Sequence, residues 1–408
     1  MRYAPSPTVV SMVVYGGSGL AFAGANLLLA RVLSTEQFAL VTLLVALNTL
    51  GYHLGPLGLD GMVLRGRVVV SWPLLKRALT VAAGVGLAMS VIASVLYGLS
   101  STLAVLLPCG TAAGGLMLVA SASFQSEQRF GAALALVMSP NLVLLLGAVA
   151  TVTTGARTAD LSFVVLTVGL ALAAAMGWAL ALRERRSPTA RTAIPWSEAL
   201  VLAGVSGAVM LFVQLERLVI PHVLGLADLA LFGVLGAIAG SLFRLLQMGV
   251  GFSLVPRLRA ATTVTERRVL IARELRFAIV ISIVGAAAIL VLTPLIERWF
   301  LDGKYHLSMA LLVAALFSGI AKIAHAFSRA AATALATPRE LAFVNWAGWL
   351  SAAFAVGAAV VAAPWGLTGV VYGIGLGWLA WAVLAFGVVM HHLQLPVDVA
   401  ADLGKEAS

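Results

Sequence analysis

Long uninterrupted apolar runs, separated by short polar breaks, repeat along the whole chain. They fall near 9–31, 38–58, 78–100, 102–124, 131–153 and 161–182, and again near 199–224, 228–252, 276–298, 307–333, 341–363 and 368–390. Each approaches the ~20 residues that an α-helix needs to cross the hydrocarbon core of a bilayer. The runs are continuous rather than alternating, which excludes the strands of a transmembrane barrel. Lipid offers no partner to an open backbone N–H or C=O, so each run is expected to be helical. Gly16-Gly17-Ser18-Gly19 and Pro140 lie inside runs, where neighbouring helices can take up freed backbone groups. The pattern predicts an all-α polytopic membrane protein of about twelve transmembrane helices.

The runs divide into two sets of six. Val32-Leu33-Ser34-Thr35-Glu36-Gln37-Phe38-Ala39-Leu40 resembles Val223-Leu224-Gly225-Leu226-Ala227-Asp228-Leu229-Ala230-Leu231, each a short turn with one acid between two apolar runs. The second run of each set then exits in a basic pair, Arg65-x-Arg67 and Arg257-x-Arg259, at an offset of about 191 residues throughout. Six helices separate the copies, so they share one orientation, as in a parallel repeat about an axis along the membrane normal. The longest polar connection of the first half begins at Arg183-Glu184-Arg185-Arg186-Ser187-Pro188 and runs to about Glu198, after the sixth run. The expected organisation is a six-helix lobe with its linker over 1–192, and a second six-helix lobe with a short cytoplasmic tail over 193–408.

Composition agrees with a lipid solvent. Only 10% of the 408 residues are charged and 61% are hydrophobic, with a mean hydropathy of +1.04. A water-soluble chain carries about 25% charged residues. Twelve spans and short loops leave no length for a soluble domain. The net charge of +10 is spread over many loops rather than gathered on one module, which argues against nucleic acid as a partner. A single cysteine, Cys109, excludes an internal disulfide. Arg2 is the one basic residue before the first run and no small-residue cleavage site follows it, so this run is expected to be retained as a helix.

Basic residues set the expected orientation. With the N-terminus inside, the cytoplasmic side receives roughly nineteen Lys and Arg, among them Arg65, Arg67, Arg183 and Arg268, and the far side only Arg31, Arg157, Arg298 and Lys304. Both termini are therefore expected in the cytoplasm, with the chain in a bacterial inner (plasma) membrane. Trp196, Trp299 and Trp365 near run ends suit an aromatic belt. There is no phosphate-binding glycine loop, nucleophile elbow or paired-acid motif, and His391-His392 lacks further ligands at metal spacing. No enzyme activity, catalytic residue, cofactor or metal is expected.

Candidate functional residues are the polar groups that fall within the apolar runs, since an ionisable group at mid-span costs about 2.5–3.5 kcal/mol on insertion scales and faces the protein interior. They are His53 in the second run, Glu216 and Arg217 in the seventh, Arg244 in the eighth, and Lys322 and His325 in the tenth. Under the repeat offset His53 and Arg244 are equivalent, one per lobe. Ser318, Lys322, His325 and Arg329 follow i, i+4, i+7, i+11 spacing and share one helical face, a polar stripe suited to lining an aqueous cleft and attracting an anion. Arg329 also lies close enough to the inner end to snorkel, and Lys322 could instead pair with Glu216. Glu216 and Arg217 point about 100° apart on a helix, so they do not simply neutralise each other. Glu216 is open to an inter-helix pair or to coupling with a cation or proton, and Asn26 and Ser18 are polar points of the first run. The basic stretch Arg257 to Arg276 reads as a positive-inside connection, or as a site for anionic lipid head groups.

Ala30-Arg31-Val32-Leu33-Ser34-Thr35-Glu36-Gln37-Phe38-Ala39-Leu40, followed by Leu57-Gly58-Leu59-Asp60-Gly61, resembles the polysaccharide flippases of the multidrug/oligosaccharidyl-lipid/polysaccharide exporter superfamily. Gln214-Leu215-Glu216-Arg217-Leu218-Val219-Ile220 is similar to that family's acidic–basic pair in its seventh helix. Gly225 to Gly233 with Pro256, and Gly366-Leu367-Thr368-Gly369-Val370, extend the likeness over nearly the whole chain. The resemblance implies two six-helix lobes in a V. It also implies transfer of an isoprenoid-diphosphate-linked oligosaccharide to the periplasmic leaflet by alternating access, for surface polysaccharide synthesis. Cationic cleft residues would hold the anionic substrate, with His53, Arg217, Arg244 and Lys322 as the positions of that kind here. Expected partners are the lipid-linked anionic saccharide, membrane lipids, a coupling ion (H+ or Na+) and polysaccharide polymerases. Two other readings stand beside it: a cation-coupled drug-type antiporter of the same superfamily, and a non-transporting scaffold for envelope assembly. The related drug antiporters often carry an acid in the first helix, and none occurs here between Val9 and Ala30.

Overall fold

The computed structural model describes residues 7–184, 194–240, 243, 254–255, 257–261 and 263–394. Every regular element among them is helical. In chain order they are α1 (Pro7–Val32), α2 (Thr35–Leu54), a short α3 (Leu59–Leu64), α4 (Trp72–Tyr97), α5 (Ser101–Ser126), α6 (Phe130–Thr154), α7 (Ala159–Glu184), α8 (Trp196–Val223) and α9 (Leu226–Ile238). There follow α10 (Val264–Leu295) with a π turn at Ile296–Phe300, α11 (Met309–Leu335), α12 (Pro338–Ala362), a 3-10 turn at Ala363–Trp365 and α13 (Gly366–Gln394). Eleven of the twelve apolar runs are thus helices of 20 residues or more. The other begins as α9, and most of its remainder lies outside the described residues. By length and hydropathy, nine segments among the described residues can cross a bilayer, and the last of these, Arg339–Leu393, comprises both α12 and α13.

Local chemistry fixes where these helices begin and end. Ser34, Ser71, Ser100 and Ser308 each accept a hydrogen bond from the backbone N–H three residues on, at 3.2–3.4 Å. Thr263 with Glu266, and Thr337 with Glu340, close reciprocal capping boxes at the starts of α10 and α12; such caps stabilise a helix start by about 1 kcal/mol. The Thr263 cap makes the basic stretch before Arg276 helical, so α10 begins some twelve residues earlier than hydropathy alone places it. Gly98 and Gly155 end α4 and α6 in the left-handed region.

The repeat is visible in these boundaries. α1 and α8 end 191 residues apart, at Val32 and Val223, and α2 and α9 begin 191 apart, at Thr35 and Leu226. From α5 and α11 onward the offset is 207–208, Ser101 against Met309 and Phe130 against Pro338. The step arises at the connection between α10 and α11. There the carboxylate of Glu297 accepts from the Leu307 N–H at 2.7 Å and contacts His306 Nδ1 at 3.3 Å, holding the longer loop.

Two compact units divide the chain: residues 20–233, and residues 1–19 with 234–408. In the first, α5 is central, packing on α2, α3, α4, α6 and α7. α8, which opens the second set of six in the sequence, packs here on α2 and α3. The second unit is built on α13, which packs along both α11 and α12, with α10 beside them. Outer faces of α4 and α10 carry apolar side chains such as Val95 and Ile283, 80% and 64% exposed. Water would penalise such a surface and hydrocarbon accepts it.

Candidate functional site

In the unit 20–233, α8 buries four consecutive residues, Gln214, Leu215, Glu216 and Arg217. Arg217 Nη1 donates to Gln214 Oε1 at 2.7 Å, and its guanidinium carbon lies 5.7 Å from the centre of the Phe22 ring. A guanidinium buried in a span is tolerable only with such partners. Asn26 is buried one turn beyond Phe22 on α1, and its Nδ2 donates to the Phe22 carbonyl at 2.8 Å. Asn26 and Arg217 therefore converge on one turn of α1, while Asn26 uses its amide hydrogen on its own helix. His53 closes α2, with its Nδ1 2.8 Å from the Thr49 carbonyl and its ring 4.6 Å from that of Tyr52. Donation to that carbonyl requires the proton on Nδ1 and leaves Nε2 as the reactive nitrogen.

The unit containing 234–408 holds the other group. Ser318, Lys322 and His325 lie on one face of α11, as their spacing predicts. That face packs on α13 at its tryptophans. The His325 ring is 4.1 Å from Trp381 and 5.0 Å from Trp378, centre to centre, and Lys322 Nζ stands 5.9 Å over Trp378. Trp381 is itself fixed by its Nε1–H donating to the Val344 carbonyl of α12 at 2.9 Å. Gly375 of α13 lets Phe317 and Ser318 approach closely. Ser318 Oγ and His325 Nε2 are buried without a hydrogen-bond partner among the described residues. A buried polar atom left open costs about 1–3 kcal/mol, so both carry unused hydrogen-bonding capacity inside the packed face. Arg244 lies outside the described residues, and its sequence equivalence to His53 stays an expectation.

Three polar residues of the first unit were not singled out by the sequence pattern. Asn48 Oδ1 on α2, Thr111 Oγ1 on α5 and Thr167 Oγ1 on α7 are buried with no partner among the described residues. They gather where Gly110 and Gly51 let α2 and α5 come together: a Cβ on Gly110 would lie 2.6 Å from Asn48 Oδ1 and 3.4 Å from Thr167 Oγ1. Their signal was an amide and two hydroxyls in otherwise apolar runs, which carry no charge and so raise no insertion penalty to notice. Trp378 and Trp381, three residues apart on α13, were likewise unmarked, because Trp at helical spacing reads as ordinary core.

No family model matches the chain, and no curated protein does. Solved structures do. The lipid II flippase MurJ in an inward closed conformation superposes with a TM-score of 0.66 at 12% identity, covering 98% of this chain and 90% of that one. An inward-facing multidrug resistance MATE family transporter of the MOP superfamily gives 0.64 at 13% identity, covering 97% of this chain and 99% of that one. The eukaryotic MATE transporter AtDTX14 gives 0.62 at 13% identity, with 98% of both chains covered. The protein has the two-lobed, all-helical fold of these membrane transporters.

Proposed function

We propose that the chain is a membrane transporter that flips an isoprenoid-diphosphate-linked oligosaccharide toward the outer leaflet for surface polysaccharide synthesis. The observation that carries the reading is the sign of the charge inside the spans. Arg217 is buried on α8, and Lys322 stands beside His325 on α11, against one acid, Glu216. A positive interior suits a diphosphate, whose charge is best held by several donors at once. Trp378 and Trp381, themselves buried, hold Lys322 and His325 in place. The fold is shared with a lipid II flippase, which supports the same substrate class. With both termini in the cytoplasm, lobes 1–192 and 193–408 would act by alternating access driven by an ion gradient. Arg244 and His53 would add to the cationic set, and polysaccharide polymerases would take the product.

The test is a deletion strain whose lipid-linked intermediates are extracted and probed for sidedness. Repeat units should accumulate facing the cytoplasm, and re-expression of the wild-type chain should restore export while Lys322→Ala restores about a tenth or less. Normal export in the deletion strain, with no second flippase present, would sink the proposal.

One observation favours the drug-type antiporter instead: Glu216 is a buried carboxylate in a span, 2% exposed, of the kind that binds a coupling cation. The MATE structures share the fold equally. Proton- or sodium-driven efflux of organic cations from proteoliposomes, abolished in Glu216→Gln, would decide for it.

A further inference from the structure

A groove of about 1120 Å³ runs along the unit 20–233 between α4, α5 and α7. Its floor is α5, where Ala104, Pro108, Cys109 and Ala112 are small enough to leave a channel. The face of α5 that meets α2 is a different one: Gly110, Thr111 and Gly114 approach Asn48, Gly51 and Tyr52. The groove therefore opens away from α2, on the side where α4 and α7 expose apolar residues such as Leu87 and Leu172.

Its length is that of a lipid chain. The lining stretch Trp72 to Leu87 rises about 22 Å along α4, and Ala171 to Arg183 about 18 Å along α7. One leaflet of hydrocarbon is about 15 Å deep, half of the ~30 Å core. Its polarity is asymmetric as well. Among the described lining residues the one charge is Arg183, in the last turn of α7, with Trp72 of the α4 first turn also in the lining. The first turns of α4 and the last turns of α7 lie at the same end, since Leu74 and Ala78 share one buried apolar cluster with Trp178 and Ala181, and the Trp178 Nε1–H donates there to the Leu116 carbonyl of α5 at 2.9 Å. Arg183 makes no ion pair among the described residues. The first turns of α4 add Lys76 and Arg77 at the same level.

We propose that this groove is a binding site for one anionic phospholipid of the surrounding bilayer, its acyl chain lying along α5 and its phosphate at Arg183. An apolar slot as long as a leaflet, closed at one end by a guanidinium and an interfacial tryptophan, complements that molecule in length, polarity and charge. The site is separate from the residues assigned to transport, and it stands whichever substrate the chain carries.

Trp72 lines the groove and gives a direct probe that leaves it open. The full-length protein, reconstituted in phosphatidylcholine vesicles, is titrated with phosphatidylglycerol brominated on its acyl chains, and the emission read is the part that is lost in Trp72→Phe. Quenching should reach half its maximum at about fivefold lower mole fraction than with brominated phosphatidylcholine, the factor that about 1 kcal/mol per basic residue represents. Arg183→Gln should abolish that preference, and Ala112→Trp should remove the retained lipid seen by native mass spectrometry. Equal quenching by both lipids in the wild type would overturn the proposal. So would recovery of a lipid-linked saccharide, rather than a phospholipid, as the retained molecule. The wild-type quenching comparison decides the matter even if Ala112→Trp fails to fold.

Discussion

Replacing His325 with phenylalanine separates stability from function at one position. His325 is 3% exposed, its ring packed at a tilt against Trp378 and Trp381, and its Nε2 has no hydrogen-bond partner among the described residues. Leaving that nitrogen buried and open costs the folded protein about 1–3 kcal/mol. Phenylalanine keeps a flat ring against the tryptophans, and with it the aromatic contacts worth about 0.5–1.5 kcal/mol each, but carries no polar atom. The variant should therefore be more stable by about 1–3 kcal/mol, less whatever its slightly larger ring costs in repacking. At roughly 2–4 °C per kcal/mol for a unit of 150–250 residues, the unfolding midpoint should rise by about 2–12 °C. Thermal unfolding in detergent, followed by intrinsic fluorescence, reads this. Transport by the same variant should fall at least tenfold if Nε2 bonds the substrate. A lowered midpoint would refute the argument from the open nitrogen. A raised midpoint with transport intact would remove His325 from the site and leave it as packing.

Three further outcomes follow from named contacts. Arg217→Ala strips Gln214 of its 2.7 Å donor and should lower both stability and transport, by about 1–3 kcal/mol for the unmatched carbonyl; Arg217→Lys, which keeps the charge, should recover part of the transport in a proteoliposome assay. Gly58→Ala should insert into the membrane yet melt far earlier than wild type in a detergent thermal scan, because Gly58 has φ +81° and a Cβ there would strike the Ala199 carbonyl of α8. Asp60, in α3 between the spans, has its carboxyl pushed above the ordinary value of 3.8 by burial. The protonated form is then favoured on folding, so its stabilisation is complete below pH 4 and is lost as pH rises through the folded-state value. Asp60→Asn should accordingly melt higher than wild type at pH 7, with the gap closing at pH 4; a constant gap would show that burial is not what perturbs this acid.

Much of the architecture was legible because a bilayer leaves few choices. A run of about 20 apolar residues must be a helix, and eleven of the twelve runs are helices of that length. The repeat was readable from a turn and a basic pair, and the helix ends at Val32 and Val223 keep its 191-residue spacing. Polarity read alone failed at boundaries where caps rule: hydropathy placed the tenth helical element's start near 276, and the Thr263–Glu266 box moves it to 264. It also passed over α3, six residues long, which forms because Gly58 allows close approach to α8.

The sequence by itself determined the solvent, the kind of secondary structure, the repeat, and that Ser318, Lys322 and His325 share a face, since all of these follow from local hydrophobicity and helical period. Tertiary structure alone decided what those side chains meet: Arg217 against Phe22, His325 against Trp378 and Trp381, and Asn48 and Thr167 around Gly110. The reason is physical. A helix's own period says which way a residue points, but its neighbours come from helices tens to more than a hundred residues away, and only packing brings them within bonding distance.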